Sequence, residues 1–285
     1  MKNLFLSCSL LVAAGGVGVY GAQFAAGPPR MTSERLAVLA ATPTPRLADG
    51  RPDLNGTWDR LGGIEFVRPE KGDDGSVCIL GCAPQAGRGG GAAPAFPPPQ
   101  RNFPKYKPEW LAKVKDLSDR QVETDTALRC QAIGVPRIGP PGKIVQNARE
   151  VVFLYDDING SFFRIIPTDG RPHRQGLPSS YLGDAIGRWE KDTLVVETVN
   201  FNDETWLTDN GAFHTTGLTV IERLRRVGNT IEYQAAAHDP AVLAEPWATQ
   251  PRTIWIADQE IEESPRCEDR DLNLIQDGSH HDNPR

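Results

Sequence analysis

Gly217-Leu218-Thr219-Val220-Ile221-Glu222-Arg223-Leu224-Arg225-Arg226-Val227, then Gly228-Asn229, then Thr230 to Ala237, reads as two strands joined by a tight turn. Side chains alternate across a strand with period two. One face of the first run therefore holds Leu218, Val220, Glu222, Leu224 and Arg226, and the other holds Thr219, Ile221, Arg223 and Arg225. A mostly apolar face backed by a polar one is the signature of an antiparallel sheet lying on a core. The Gly-Asn pair supplies the hairpin turn.

The same reading extends on both sides. Upstream lie Lys143 to Gln146, Glu150 to Tyr155, Ser161 to Pro167, Gly187 to Glu190 and Thr193 to Phe201, and downstream lies Thr253 to Ile256. Asp157-Ile158-Asn159-Gly160 and Glu190-Lys191-Asp192-Thr193 are further turn signals between them. Consecutive antiparallel strands over such a length curl into a barrel or pack as two sheets. The expectation is a mainly β fold, an antiparallel meander closed into a lipocalin-like barrel, with one N-terminal helix and long loops. Gly56-Thr57-Trp58 is similar to the Gly-x-Trp that opens lipocalin-like barrels, which makes Arg51-Pro52-Asp53-Leu54 the entry to the closing strand.

The remaining segments frame this domain. Met1-Lys2-Asn3, an apolar small-residue run from Leu4 to Val19 and Tyr20-Gly21-Ala22 match a signal peptide over residues 1–22, so a periplasmic or secreted location is expected. Residues 23–53 read as an extended arm with a short helix at Ser33 to Ala40. Residues 54–275 form a single domain, and 276–285 a disordered tail. A Pro/Gly-rich loop at 81–104 holds Gly87-Arg88-Gly89-Gly90-Gly91 and Pro97-Pro98-Pro99, a composition that buries little. Tyr106 to Leu128, opened by Pro108 and Glu109, is the one sustained helical stretch, with Trp110, Leu111 and Val114 as its core contact.

Composition narrows the partners. With 31 basic against 37 acidic side chains the net charge is −6, and −7 once Lys2 is removed with the leader, which argues against nucleic acid. No later stretch approaches the roughly 20 apolar residues of a membrane span. A homodimer is compatible with the sequence, and a small-molecule ligand or substrate is the expected partner. Cys78, Cys82, Cys130 and Cys267 form an even set in an oxidising compartment, so disulfides are expected, paired Cys78 with Cys82 and Cys130 with Cys267. The five histidines give no metal-ligand spacing apart from the tail pair His280-His281, and no nucleotide or dinucleotide fingerprint occurs. Neither a metal nor an organic cofactor is expected.

Candidate chemistry follows from polar groups on apolar faces and from concentrated loops. Glu222 sits among apolar neighbours, and Arg164 shares a face with Phe162 and Ile166. An uncompensated buried charge costs several kcal/mol, so each needs a partner or a ligand, and the two can meet inside a barrel. Glu197 is a second buried-carboxylate candidate, or a strand-end residue with solvent access. Asp169-Gly170-Arg171-Pro172-His173-Arg174 gathers an acid, two guanidiniums and an imidazole. There Arg171 or Arg174 can clamp a carboxylate and His173 can move a proton. The loop from Asn202 to Thr216 places Trp206, Asp209 and His214 at an expected cavity mouth. Tyr181 and Tyr155 are candidate phenolic acids. With Phe162 and Trp206 they are also the candidate ligand contacts.

Arg164-Ile165-Ile166-Pro167-Thr168-Asp169-Gly170-Arg171-Pro172-His173, Gly187-Arg188-Trp189-Glu190-Lys191-Asp192-Thr193-Leu194-Val195-Val196-Glu197-Thr198 and Val220-Ile221-Glu222-Arg223-Leu224 together resemble a large family of exported bacterial proteins of unknown function. The resemblance runs from about Cys130 to Leu274 and implies export and a β-rich fold, without a reaction to transfer. The chain departs from the family at His214-Thr215-Thr216 and at Arg266-Cys267-Glu268, where a late His is missing.

Two functions are consistent with this inventory. The first is a cofactor-independent lyase, of decarboxylase, dehydratase or isomerase type, acting on an aromatic or apolar small molecule such as a lignin-derived phenolic acid. Its catalytic set is Arg164 or Arg171 on a carboxylate, His214 or His173 as proton carrier, and Glu222 or Asp209 orienting it. The second is a periplasmic binding or carrier protein. A purely structural envelope protein is the third reading.

Overall fold

The computed structural model describes residues 31–59, 102–157, 159–263 and 267, and the backbone of 70–71 and 77–78. Alternating burial generates its strands as expected: in Thr219–Val227 the predicted apolar face, including Glu222 and Arg226, is buried throughout. The strands are β1 (Gly56–Asp59), β2 (Glu70–Lys71), β3 (Val77–Cys78), β4 (Lys143–Gln146), β5 (Glu150–Asp157), β6 (Gly160–Pro167), β7 (Asp184–Glu190), β8 (Thr193–Val199), β9 (Thr219–Val227), β10 (Thr230–His238), β11 (Trp247–Ala248) and β12 (Arg252–Ile256). β2 and β3 make a separate ribbon, and the others one sheet in the order β6-β5-β4-β1-β12-β10-β9-β8-β7, with β11 beside β10. The fold is mainly antiparallel β, and this sheet curls into one nearly closed barrel.

Two meanders, β4 to β6 and β7 to β12, are joined by the early strand β1, which pairs antiparallel with both β4 and β12. The Gly-x-Trp strand thus links the last strand to the first of the meander. Trp58 is buried, its indole N–H donating to Leu54 O at 3.0 Å and its ring lying 5.0 Å from the Arg226 guanidinium.

Counting around the path gives nine strands, each antiparallel to its neighbour. An odd number leaves the two ends, β6 and β7, running the same way. A hairpin cannot join parallel neighbours, so the chain makes a long crossover from Thr168 to Gly183, as parallel strands require. The seam between β6 and β7 carries no ladder. They approach closely at Gly187, where a Cβ would come within 2.9 Å of side-chain carbons of Ile166 and Thr168.

The helical region differs from expectation. It is broken into a 3-10 turn (Pro108–Trp110), α2 (Leu111–Asp119), α3 (Gln121–Thr124) and a second 3-10 turn (Thr126–Leu128), following α1 (Ser33–Ala40). Arg120 lies between the two α segments with φ −108° and ψ 30°, outside helical geometry. Trp110, Val114 and Leu117 pack on the core, whereas Leu111 is 55% exposed. At about 100° per residue, Leu111 points roughly 90° away from the mean direction of the other three.

The arm reaches the barrel. Leu39 O accepts from Asn229 N at 2.9 Å, Thr44 Oγ1 accepts from Gly228 N at 2.9 Å, and Arg46 pairs with Asp192 at 2.7 Å. Among the described residues no helix is long and apolar enough to cross a membrane. The signal peptide, the loop up to residue 101, the tail and the Cys78–Cys82 pairing lie outside the described residues.

Candidate functional site

The barrel interior is occupied by a polar network. Arg164 from β6 and Glu222 from β9 form an ion pair with 2.6 Å between Nη2 and Oε2. Arg164 also donates from Nη1 to Tyr155 Oη at 3.2 Å and from Nη2 to Thr198 Oγ1 at 2.7 Å, and its guanidinium lies 5.8 Å from the Phe153 ring. Tyr233 Oη donates to Glu222 Oε1 at 3.1 Å. All of these side chains are buried. Burial disfavours the charged guanidinium, but the Glu222 carboxylate outweighs it and Arg164 stays firmly protonated. Burial, then the Glu222 charge, drives the Tyr233 phenol far above its ordinary range. The two charges sought on apolar strand faces thus meet, and each is the other's counter-ion.

A cleft opens where the sheet fails to close. It has a volume of about 540 Å³ and lies along β6 from Phe162 to Pro167 and the first half of β7, beneath the crossover. Phe162, Phe163, Ile165 and Leu182 give it apolar walls, Arg164, Arg171 and Arg174 bring guanidiniums, and Tyr181, Ala132 and Asp184 complete its rim. Phe163 and Ile165 are 62% and 52% exposed, because β6 is the sheet edge and turns their face outward. Arg164 is only 4% exposed yet forms part of the wall. Its Nε has no hydrogen-bond partner among the described residues.

At His173 and Arg174 the crossover is held against the outer face of β7 and β8 by Asp184. This carboxylate accepts from Arg174 Nε at 2.7 Å and from the Arg174 amide at 3.1 Å, and it lies 3.0 Å from His173 Nδ1. Burial works against its ionisation, but the bonds from Arg174 and His173 prevail and hold it below the usual carboxylate range. The other ring nitrogen of His173 faces Glu197 Oε1 at 3.2 Å. Glu197 has side-chain solvent access of 36% and sits on the outside of β8, opposite in sense to Thr198. Both contacts are hydrogen bonds to carboxylates only when the imidazole carries both N–H groups. Arg171 is paired with Asp169, donating from Nε at 2.8 Å and Nη2 at 2.5 Å, and that guanidinium depresses the Asp169 carboxyl.

The residues expected at a cavity mouth in the loop from Asn202 to Thr216 are dispersed. His214 is 1% exposed, and its Nδ1 faces the Thr215 carbonyl at 3.0 Å while Nε2 lies 2.8 Å from Thr205 Oγ1. A carbonyl only accepts, so Nδ1 carries the proton and Nε2 accepts from the hydroxyl. Burial pushes the imidazole down, against smaller contributions from Thr215, Asp239 and Asp203, and so favours this neutral form. Asp209 pairs with Arg137 at 2.5 Å, and Arg137 is held on its other side by Asp125 at 2.6 Å. Trp206 borders a separate cavity of about 370 Å³ that also touches Arg129, Gln131 and Glu204. Of the expected ligand contacts, Phe162 and Tyr181 line the seam cleft, whereas Tyr155 belongs to the interior network. The Tyr181 hydroxyl donates to Glu204 Oε2 at 3.0 Å, and burial followed by that carboxylate raises its pKa.

Cys130 and Cys267 are joined as a disulfide across 137 positions. Asn159 fastens the same place, donating from Nδ2 to Ala127 O at 3.0 Å and Gln131 O at 3.1 Å. Among the described residues no group of three or more His, Cys, Asp or Glu side chains is arranged to hold a metal ion.

Sequence reasoning passed over Asp184, Thr198 and Tyr233. Tyr233 had a usable signal, since it alternates with the apolar Ile231, Ala235 and Ala237 on the inward face of β10. Asp184 had none locally, because its partners come from a crossover whose path the strand pattern does not fix. No known protein family model matches the chain, and neither does any curated protein or solved structure.

Proposed function

We propose that the seam cleft binds a small amphipathic organic acid, an aromatic or apolar body bearing a carboxylate, and that the protein carries this compound outside the cytoplasm. The observation that carries the reading is the cleft itself: about 540 Å³, within the range of small-molecule sites, with apolar walls and three guanidiniums against the carboxylates of Glu150 and Asp184. Arg171 spends Nε and Nη2 on Asp169, and Arg174 spends Nε on Asp184, which leaves N–H donors on both at the rim. Planar guanidiniums match carboxylates in shape as well as charge. The Cys130–Cys267 disulfide suits the oxidising compartment that the apolar leader implies.

Carriage is favoured over turnover by the state of the proton carriers. His214 is buried with both nitrogens occupied, His173 lies between two carboxylates, and Glu222 and Arg164 neutralise one another. Cofactor-independent lyase chemistry has one specific observation in its favour. The Tyr181 phenol and Asp184, the carboxylate bonded to His173, line the same cleft, where a proton can be handed to a bound acid.

One experiment separates these readings. Purified, disulfide-intact protein is incubated with a pool of aromatic acids and hydrophobic metabolites, and both retention and product mass are followed. Retention of an acid at unchanged mass is the expected result. A product lighter by carbon dioxide or water establishes the lyase instead, and retention of nothing overturns both.

A further inference from the structure

Arg164 spends its donors unevenly. Nη1 donates to Tyr155, Nη2 donates to Thr198 and stands 2.6 Å from Glu222 Oε2 as an ion pair, and Nε donates to no group among the described residues. Buried guanidinium donors are normally all satisfied, because an unmade hydrogen bond to a charged donor costs more than a made one gains. This donor belongs to a side chain in the wall of the seam cleft and is itself shut off from water, so a ligand meets it as the neighbouring wall side chains move aside.

We infer that the ligand of the cleft carries a neutral oxygen acceptor at the end remote from its carboxylate, and that this oxygen takes the hydrogen bond of Arg164 Nε. The inference rests on the cleft being a ligand site, and it adds the orientation and the specificity determinant. Charge decides which end goes where. Arg164 already has Glu222 at 2.6 Å, so a second carboxylate beside it places an excess negative charge in the interior. A phenol, ether or ketone oxygen brings an acceptor without that penalty. The carboxylate is instead met at the rim, where the side chains of Arg171 and Arg174 are 46% and 67% exposed and retain unused N–H groups. The favoured ligand is thus an aryl acid oxygenated opposite its acid group, with the ring against Phe162 and Leu182.

The test uses two probes of equal charge and nearly equal shape, 4-methoxycinnamate and 4-ethylcinnamate, titrated calorimetrically into the full disulfide-intact protein. The methoxy compound is expected to bind about tenfold to a hundredfold tighter, the range of a hydrogen bond to a charged donor. The Arg164 15Nε–1H resonance is expected to move with that compound and not with the other. In Arg164→Lys, which retains the charge facing Glu222 and lacks Nε, the two affinities are expected to converge. If that variant does not fold, the wild-type comparison and the resonance decide alone. Equal or reversed affinities, with both compounds bound, overturn the inference and leave the cleft reading standing. Binding of neither overturns the cleft reading itself, and the inference with it.

Discussion

Arg164 and Glu222 hold one charge of each sign out of water, 4% and 0% exposed, across a barrel otherwise filled by Phe153, Ile166, Leu194 and Leu224. Removing one partner strands the other, which costs about 3–5 kcal/mol, whereas removing both in favour of apolar side chains of similar volume is often close to neutral. Urea unfolding of Arg164→Met and Glu222→Leu is expected to show a loss of about that size for each, and the double variant a loss well below their sum. Strict additivity indicates that the pair does not interact as described. This is also the residue-level feature most legible in the sequence. Period-two alternation put both charges on inward faces, and desolvation cost required a partner. The alternation is silent on Thr198, whose own strand is apolar on both faces, so its hydroxyl carried no contrast to mark it. His214 shows the opposite failure: a loop histidine expected at a cavity mouth as a proton carrier is buried, which turns it into a neutral link between Thr205 and Thr215.

Among the elements, the crossover from Thr168 to Gly183 shapes the cleft; His173 and Arg174 fasten its first half to Asp184 at the start of β7, and Asn200 and Asn202 fasten its second half at Pro178 and Ser180. Gly183 adds a backbone constraint beside Asp184. Its φ of +68° and the 2.5 Å separation of a built Cβ from Val199 O exclude a side chain there. Because Asp184 is depressed in the folded state, its contribution is present above its ordinary value of 3.8 and is lost as the pH falls below it through the folded value. Asp184→Asn keeps the shape and removes the charge. It is expected to cost about 1–3 kcal/mol at neutral pH, with a flatter fall in stability below pH 4 and faster amide exchange at Arg174. Unchanged exchange and an unchanged acid limb mean that His173 and Arg174 are held in place without the Asp184 charge. The strands themselves were readable within a few residues, but the open seam was not. It depends on the parity of the whole ring, and that parity changes with one short strand, β1, which a three-residue Gly-x-Trp signal marks only weakly.

At the scale of the whole molecule, the segment from Thr126 to Ala132 is a partition. Arg129 and Gln131 face the cavity beside Trp206, Ala132 faces the seam cleft, and Cys130 between them is tied to Cys267. Little regular structure supports this partition: a 3-10 turn forms its first three residues, Asn159 reaches it from the β5–β6 turn, and Arg137 fixes Asp125 just before it. The cysteine pairing followed from counting and from the two residues flanking the β-rich region, whereas the partition is visible only once both cavities are. Closing a loop across 137 positions removes chain entropy from the unfolded state worth roughly 5 kcal/mol at the upper end of the loop-closure model. At about 2–4 °C per kcal/mol for a domain of this size, Cys130→Ser with Cys267→Ser is expected to lower Tm by about 10 °C or more. The native-state effect should be local, because the barrel strands owe their pairing to ladders that the disulfide does not touch. Hydrogen exchange is therefore expected to rise across 126–132 while β9 and β10 keep their protection, and affinity at the seam cleft is expected to fall as its Ala132 wall loosens. A lower Tm with unaltered exchange in 126–132 places the whole effect in the unfolded chain, and the disulfide then stabilises the fold without shaping the cleft.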